Sequence, residues 1–157
     1  MIQKTKKILD ELNIDYVWKK HESIMSYEDA IKVDKELGFT GIETKNLFLK
    51  NSQNSFFVFL TTFNVRFDKK IIKEKINQKL SIASEEELIK KAGYIPGSAA
   101  SFPYDIDVTY IVDNRIFKTN KLICSGGTPT ESYEMETKYL QKILDFLPNK
   151  KIYIDFD

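Results

Sequence analysis

Two apolar runs on either side of a polar tetrapeptide set the tightest limit on this fold. "TKNLFLK" at residues 44–50 and "SFFVFLTT" at 55–62 are separated by "NSQN". Runs of Phe, Val, Leu and Thr of this length suit strands, and a short Asn/Ser connection turns one strand back along the other. The pattern predicts a hairpin. Leu47 and Leu49 share one face of the first strand, with Asn46, Phe48 and Lys50 on the other. Directly ahead of its apolar part stands Lys45-Asn46. A cation and a carboxamide at the mouth of such a strand either mark where it meets water or face a ligand.

The remaining pattern builds a sheet around that hairpin. Ile8 and Leu12 predict a surface helix over residues 3–12, followed by a short strand at 16–18. Ser26 with Asp29 opens a helix from Tyr27 to Leu37 that stops at Gly38. Asp68 caps a basic helix over 69–80, and Ser84 with Glu87 forms a capping box for "EEELIKKAG". Strands are predicted at 108–112 and 122–124, and "ESYEMET" alternates like an edge strand. Tyr139, Leu140, Ile143, Leu144 and Leu147 share a helical face over 138–147, and "KIYIDF" closes the chain as a strand.

Two glycine-containing segments remain. "YIPGSAASFPYD" is a loop of about a dozen residues, a length uncommon in a compact domain unless it is disordered or has a function. "SGGTPT" reads as a second flexible loop. Irregular alternation of helices with hairpin-like pairs gives an α/β class of the α+β type: a mixed, curved β-sheet with helices packed on it. At 157 residues, 42% hydrophobic, the chain suits one domain over 1–157.

Composition removes several chemistries. Cys124 is the only cysteine and His21 the only histidine, which excludes thiolate metal clusters and a His-rich metal site within one chain. No Walker-type or GxGxxG phosphate loop is present. Ser125-Gly126-Gly127 lacks the nucleophile-elbow pattern. Asp105 and Asp107 read as a solvated turn, and Cys124 as a small buried hydrophobe. No stretch approaches the roughly 18–20 apolar residues of a membrane span, and the N-terminus has no signal-peptide core. A cytoplasmic protein with no membrane association is the expectation. With 24 basic and 23 acidic residues, any contact with nucleic acid is confined to one face. Lys69, Lys70, Lys73 and Lys79 are either a solvated helix face or that contact.

Four stretches in order carry a resemblance: "HESIMSYEDA" at 21–30, "TKNLFLKN" at 44–51, "LSIASEEEL" at 80–88 and "PGSAASF" at 96–102. Together they resemble the YbaK-type aminoacyl-tRNA editing domains, also associated with bacterial prolyl-tRNA synthetase, and most closely the freestanding ProX/PrdX branch. The resemblance implies hydrolysis of the ester of mischarged tRNA, Ala-tRNA(Pro) first and Cys- or Ser-charged tRNA next. It implies a catalytic Lys45, with Asn46, His21, Gly97, Ser98, Ser125, Gly126 and Gly127 around the substrate. It calls for no metal and no cofactor. The partners it implies are the tRNA acceptor end, docked on Lys69, Lys70 and Lys73, and prolyl-tRNA synthetase. A non-catalytic tRNA- or nucleotide-binding module of the same fold is the alternative. Two departures bear on substrate choice. Ser101 and Pro103 stand where the alanine-specific branch has proline and glycine, and "ICSGGTP" replaces its "FHP" segment.

Overall fold

The computed structural model describes residues 2–156. In chain order the elements are α1 (Ile2–Glu11), β1 (Tyr16–Lys20), α2 (Tyr27–Leu37), β2 (Ile42–Lys50), β3 (Phe56–Thr62), α3 (Lys69–Ile76) and β4 (Ser81–Ile82). They continue with α4 (Glu85–Ala92), β5 (Thr109–Asp113), β6 (Lys121–Thr128), β7 (Glu131–Glu136), α5 (Leu140–Phe146) and β8 (Lys151–Ile154). The strands form one mixed sheet in the order β1-β7-β6-β2-β3-β5-β8, with β4 beside β2. The fold is mixed α/β, as the sequence pattern predicts.

The hairpin lies at the centre of the sheet. β2 and β3 are antiparallel, with Leu47 opposite Phe59 and Phe48 opposite Val58. Asn51 builds the turn: its Oδ1 accepts from the N–H groups of Gln53 and Ser55, each at 3.0 Å. Asn54 takes the left-handed conformation at φ 57°, which asparagine tolerates better than most residues. β5 runs parallel beside β3, and β8 parallel beside β5. Both faces of these strands are covered, which is why their sequences are continuously apolar rather than alternating.

Cross-strand neighbours therefore sort into two cores. Phe48, Val58, Leu60, Tyr110 and Val112 pack with Leu9 of α1, Leu88 of α4 and Ile143 and Leu144 of α5. Leu49, Phe57, Phe59 and Ile111 pack on the opposite face with Ile72 of α3 and with Leu80. Each fully buried Leu or Phe contributes about 1.5–3 kcal/mol.

Helix ends follow the capping signals. Ser26 Oγ accepts from Asp29 N at 3.1 Å, and Gly38 at φ 77° closes α2. Ser84 and Glu87 form the reciprocal box that opens α4. α3 ends earlier than the predicted residue 80. Asn77 adopts the left-handed conformation, and the chain then drops Leu80 into the second core on its way to β4.

Two expectations fail side by side. "SGGTPT" is not a flexible loop: Ser125–Thr128 completes β6, irregular in register between Ser125 and Thr128. "ESYEMET" is not at an edge: β7 lies between β1 and β6 and is buried from Glu131 to Met135. The glycine at 126 serves close packing, because a Cβ there would sit 2.7 Å from Trp18 Cζ2 and 3.1 Å from Glu131 Cβ. The polar alternation of β7 is met by protein partners instead of water. Glu131 Oε1 accepts from Trp18 Nε1 at 3.0 Å, and Glu134 Oε2 accepts from Thr40 N and Gly41 N at 2.8 Å each.

Candidate active site

One edge of β2 changes neighbours along its length. β6 runs parallel beside Ile42 and Glu43, and β4 pairs antiparallel beside Leu49 and Lys50. Between them the edge is open. Glu43 O accepts from Phe63 N on the β3 side, and Phe48 O accepts from Ala83 N on the other. By strand alternation the main-chain N–H and C=O of Asn46 point into that gap. A cavity of about 330 Å³ opens there. Its wall comprises Glu43–Phe48, the start of α4 at Ser84, Glu85 and Leu88, the loop 96–99, and Ser125, Thr128 and Ser132. Ile24, Ala30, Phe63, Ile82, Ala83 and Pro129 complete it.

Lys45 and Asn46 project to opposite faces of β2, as adjacent strand residues must. The gap lets one cavity touch both. Lys45 emerges on the second-core face with Glu43 and Leu47, and its Nζ donates to Val65 O at 3.3 Å. Asn46 emerges on the first-core face. Its Nδ2 donates to Ala99 O at 3.1 Å, and its Oδ1 accepts from Ser101 Oγ at 3.1 Å.

That amide is one of several clamps on the loop after α4. Ser125 Oγ donates to Ser98 O at 3.0 Å, Tyr104 OH to Ala100 O at 2.8 Å, and Thr5 Oγ1 to Phe102 O at 2.9 Å. Gly97 turns the chain at φ 84°, a conformation costly for a residue with a Cβ. With successive carbonyls drawn back onto the scaffold, the N–H groups of Gly97 and Ala99 at the cavity have no acceptor among the described residues.

Of the residues singled out in the sequence, Lys45, Asn46, Gly97, Ser98 and Ser125 line the cavity together. His21 stands one shell out. Its Nδ1 is 2.6 Å from Glu22 O, which can only accept, so Nδ1 carries a proton. Nε2 lies 2.8 Å from the hydroxyl of Ser132, itself part of the wall. Gly126 and Gly127 lie outside the wall. Gly126 packs against Trp18, and Gly127 N donates to Ser125 Oγ at 3.1 Å, so Gly127 holds a lining residue in place. Lys69, Lys70 and Lys73 are exposed on α3, and none of them lines the cavity. Cys124 is buried, and burial pushes its thiol up to about 12, so it fills space rather than acting as a nucleophile. Asp105 and Asp107 both meet Lys91, at 3.7 and 2.7 Å.

Two carboxyl groups that the motifs did not mark belong to this region. Glu43 lines the cavity on the Lys45 face, and Asp34 of α2 faces it, only 6% exposed. Burial, then the hydrogen bond and charge of Asp34, push Glu43 up to about 9. Burial also raises Asp34, against the lowering influence of its bond to Glu43 and of the His21 charge. Asp34 Oδ1 and Glu43 Oε1 have no donor from other described groups, so one proton shared between the two carboxyls leaves a single negative charge on the pair with acceptor sites unfilled. A signal was present. Asp34 sits on the stripe Ala30, Val33, Leu37 that the helix turns inward, and Glu43 shares the strand face of Lys45.

Residues 21–143 match the aminoacyl-tRNA editing domain, and the chain belongs to that family. Among curated proteins it is similar to the prolyl-tRNA editing protein ProX of Acetoanaerobium sticklandii, 31% identical over 96 residues. That stretch covers 60% of this chain and 57% of the relative, so the match spans little more than half of that protein. Solved structures share the fold. The hypothetical protein APE2540 superposes with a TM-score of 0.77 at 13% identity, over 95% of this chain and 97% of that one. A candidate trans-editing enzyme for prolyl tRNA synthetase superposes with a TM-score of 0.73 at 15% identity, over 97% and 94%.

Proposed function

We propose that this chain is a trans-acting aminoacyl-tRNA deacylase, with residues 1–157 working as one editing domain. Its first substrate is Ala-tRNA(Pro), followed by Cys- or Ser-charged tRNA. The observation that supports this most is the break in the sheet edge. In a chain of the editing family, it gives one small cavity access to a lysine on one face of β2 and a braced loop on the other.

The chemistry follows from those groups. The ester carbonyl enters between the Lys45 ammonium and the N–H groups of Gly97 and Ala99. These donors stabilise the negative charge that develops as water adds and the carbon becomes tetrahedral. The bond from that carbon to the ribose oxygen then breaks. The oxygen takes up a proton, leaving a free amino acid and a tRNA with its terminal hydroxyl restored. A hydroxyl of the substrate's own ribose assists the attacking water, so this route needs no metal, cofactor, thiol or imidazole base. Asn46 acts by fixing the loop. Ser98 and Ser125 keep the wall short, with His21 at the rim through Ser132. Because one methylene is worth only about 1–3 kcal/mol in such a pocket, this wall selects small side chains coarsely.

In this reading the acceptor end of the tRNA docks along Lys69, Lys70 and Lys73, and prolyl-tRNA synthetase is the partner that supplies mischarged tRNA. The setting is cytoplasmic. Among the described residues no helix is long and apolar enough to cross a membrane.

The test is a deacylation panel: alanine, cysteine, serine and threonine, each on proline, alanine and cysteine tRNAs, with wild type and Lys45→Ala. Wild-type hydrolysis of the alanine ester on proline tRNA, lost in the variant, is the expected result. Binding without hydrolysis across the panel would replace this reading with a non-catalytic tRNA-binding module. The departures at Ser101 and Ser125–Gly127 motivate that second reading.

A further inference from the structure

We propose that Glu43 and Asp34 form the seat for the α-ammonium group of the substrate, so that the site demands a free amino group and not merely an acyl chain. This rests on the deacylase reading for the kind of ligand. It adds the feature of that ligand which the charged wall recognises.

A buried carboxyl group on Asp34 and a half-buried one on Glu43, beside a cavity, need a cation or hydrogen-bond donors, because an unpaired charge out of water is costly. Among the described residues no other group donates a hydrogen bond to their inward oxygens, and the His21 charge acts on Asp34 without a hydrogen bond. Lys45, on the same strand face, gives its Nζ to Val65 O. Lys121 lies 3.9 Å from Glu134, whose other oxygen takes the N–H groups of Thr40 and Gly41. His21 has both ring nitrogens engaged, by Glu22 O and Ser132 Oγ. Asp34 Oδ1 and Glu43 Oε1 therefore accept no hydrogen bond from any other described group.

An ammonium group fits what is missing. It brings one positive charge and several N–H donors, enough to reach both carboxyls, and charge-assisted hydrogen bonds are about twice as strong as neutral ones. A hard divalent cation fits less well. It takes six or more oxygen ligands, and no group of three or more metal-binding side chains is gathered among the described residues. Spacing agrees as well. Glu43 and Lys45 are two positions apart on one strand face, about 6–7 Å along the backbone. In an aminoacyl ester the carbonyl and the ammonium lie on neighbouring carbons. A carbonyl held by Lys45 thus sets its ammonium within reach of a carboxyl one step along the same face.

An isosteric pair of substrates is the test. Alanyl-tRNA is compared with lactyl-tRNA, in which a hydroxyl replaces the amino group. The non-hydrolysable probes are adenosine 3′-amides carrying alanyl or lactyl groups. Wild type should prefer alanyl over lactyl by at least about tenfold in both kcat/KM and Kd, the worth of a charged hydrogen bond. Glu43→Gln and Asp34→Asn should narrow that preference, chiefly by weakening the alanyl member. Equal handling of alanyl and lactyl by wild type overturns the proposal, as does a folded Glu43→Gln that keeps the full preference. If neither variant folds, the wild-type comparison decides alone. Should neither ester be hydrolysed, the deacylase reading falls, while preferential binding of the alanyl amide still upholds the seat. No binding of that amide at millimolar concentration overturns the seat.

Discussion

The two faces of β2 meet the same cavity with opposite chemistry. On the Asn46 face the side chains that hold the loop are neutral and hydrogen-bonded. The carboxamide spans Ala99 O and Ser101 Oγ, and Ser125 Oγ holds Ser98 O. On the Lys45 face the groups are ionisable and thinly partnered: one contact of 3.3 Å for Lys45, and for Glu43 and Asp34 chiefly each other. A satisfied network is rigid, whereas a charge with one weak partner can exchange it for a ligand at little cost. In the proposed reaction the braced face therefore sets shape and presents the N–H groups of Gly97 and Ala99, and the charged face supplies the cation.

Lys45→Ala is the strongest attempt to break that division. Loss of an electrostatic stabiliser costs about 10²–10³ in kcat, and the thermal midpoint should change little because only a half-exposed contact is removed. Single-turnover deacylation and thermal unfolding measure the two effects. Full activity in a folded variant would take the chemistry off the charged face.

The mirror experiment is Asn46→Ala. It removes the donor to Ala99 O and the acceptor of the Ser101 hydroxyl, so stability should drop by about 1–3 kcal/mol in urea unfolding. Turnover should fall less than in Lys45→Ala, since the loop is displaced while the cation stays. Ser101→Ala, which removes one bond from the same network, should cost about 1 kcal/mol. If Asn46→Ala proved neutral in stability, the loop would be held by its other clamps and the neutral face would not be a unit.

Glu43 offers a smaller effect that separates the faces by pH. Between the ordinary carboxyl range and about 9, the native state holds a proton on Glu43 that the unfolded chain has released. Stability therefore falls as pH rises through this window, by up to about 1.4 kcal/mol per pH unit. Glu43→Gln has no such proton. It should be more stable than wild type at pH 8, with the difference shrinking toward pH 5, as thermal unfolding across that range would show. Glu87 carries the opposite sign. Its hydrogen bond to Lys50 holds it at about 2, so its contribution is present above the ordinary carboxyl range and is lost as pH falls toward 2. A variant whose pH slope matches wild type would mean that the pair does not hold its proton.

Local signals made much of the fold legible. Ser26, Gly38, Ser84 and Glu87 act on their own helices within a few residues, so their roles can be read without knowing what packs nearby. The hairpin was legible for the same reason. What could not be read depends on residues distant in sequence. Gly126 looks flexible until Trp18, more than a hundred residues earlier, is laid across it. The acids of β7 look solvent-facing until Trp18, Thr40 and Gly41 donate to them. At the site, Lys45 and Asn46 were visible as neighbours, but that they occupy opposite faces of a broken sheet edge required knowing where β6 ends and β4 begins.

The smallest effect concerns α3, which hangs from the charged face through Ile72 in the second core. The Lys45 contact, Val65, lies in the segment that leads directly into α3, so Lys69, Lys70 and Lys73 extend that face outward. A phosphate backbone approaching from this side would bring the ester to Lys45 with few contacts, in keeping with a net charge of only +1. Lys70→Glu with Lys73→Glu should weaken tRNA binding several-fold at low salt and reduce the slope of log K against log salt by about 1–2. Hydrolysis at saturating tRNA and the order of amino acids accepted should not change, because neither lysine touches the cavity wall. Equal binding by the double variant in dilute salt would move docking to the α4 side, where Lys90 is exposed and Lys91 is paired with Asp107. The tRNA would then approach over the neutral face, and recognition and reaction would lie on opposite sides of β2.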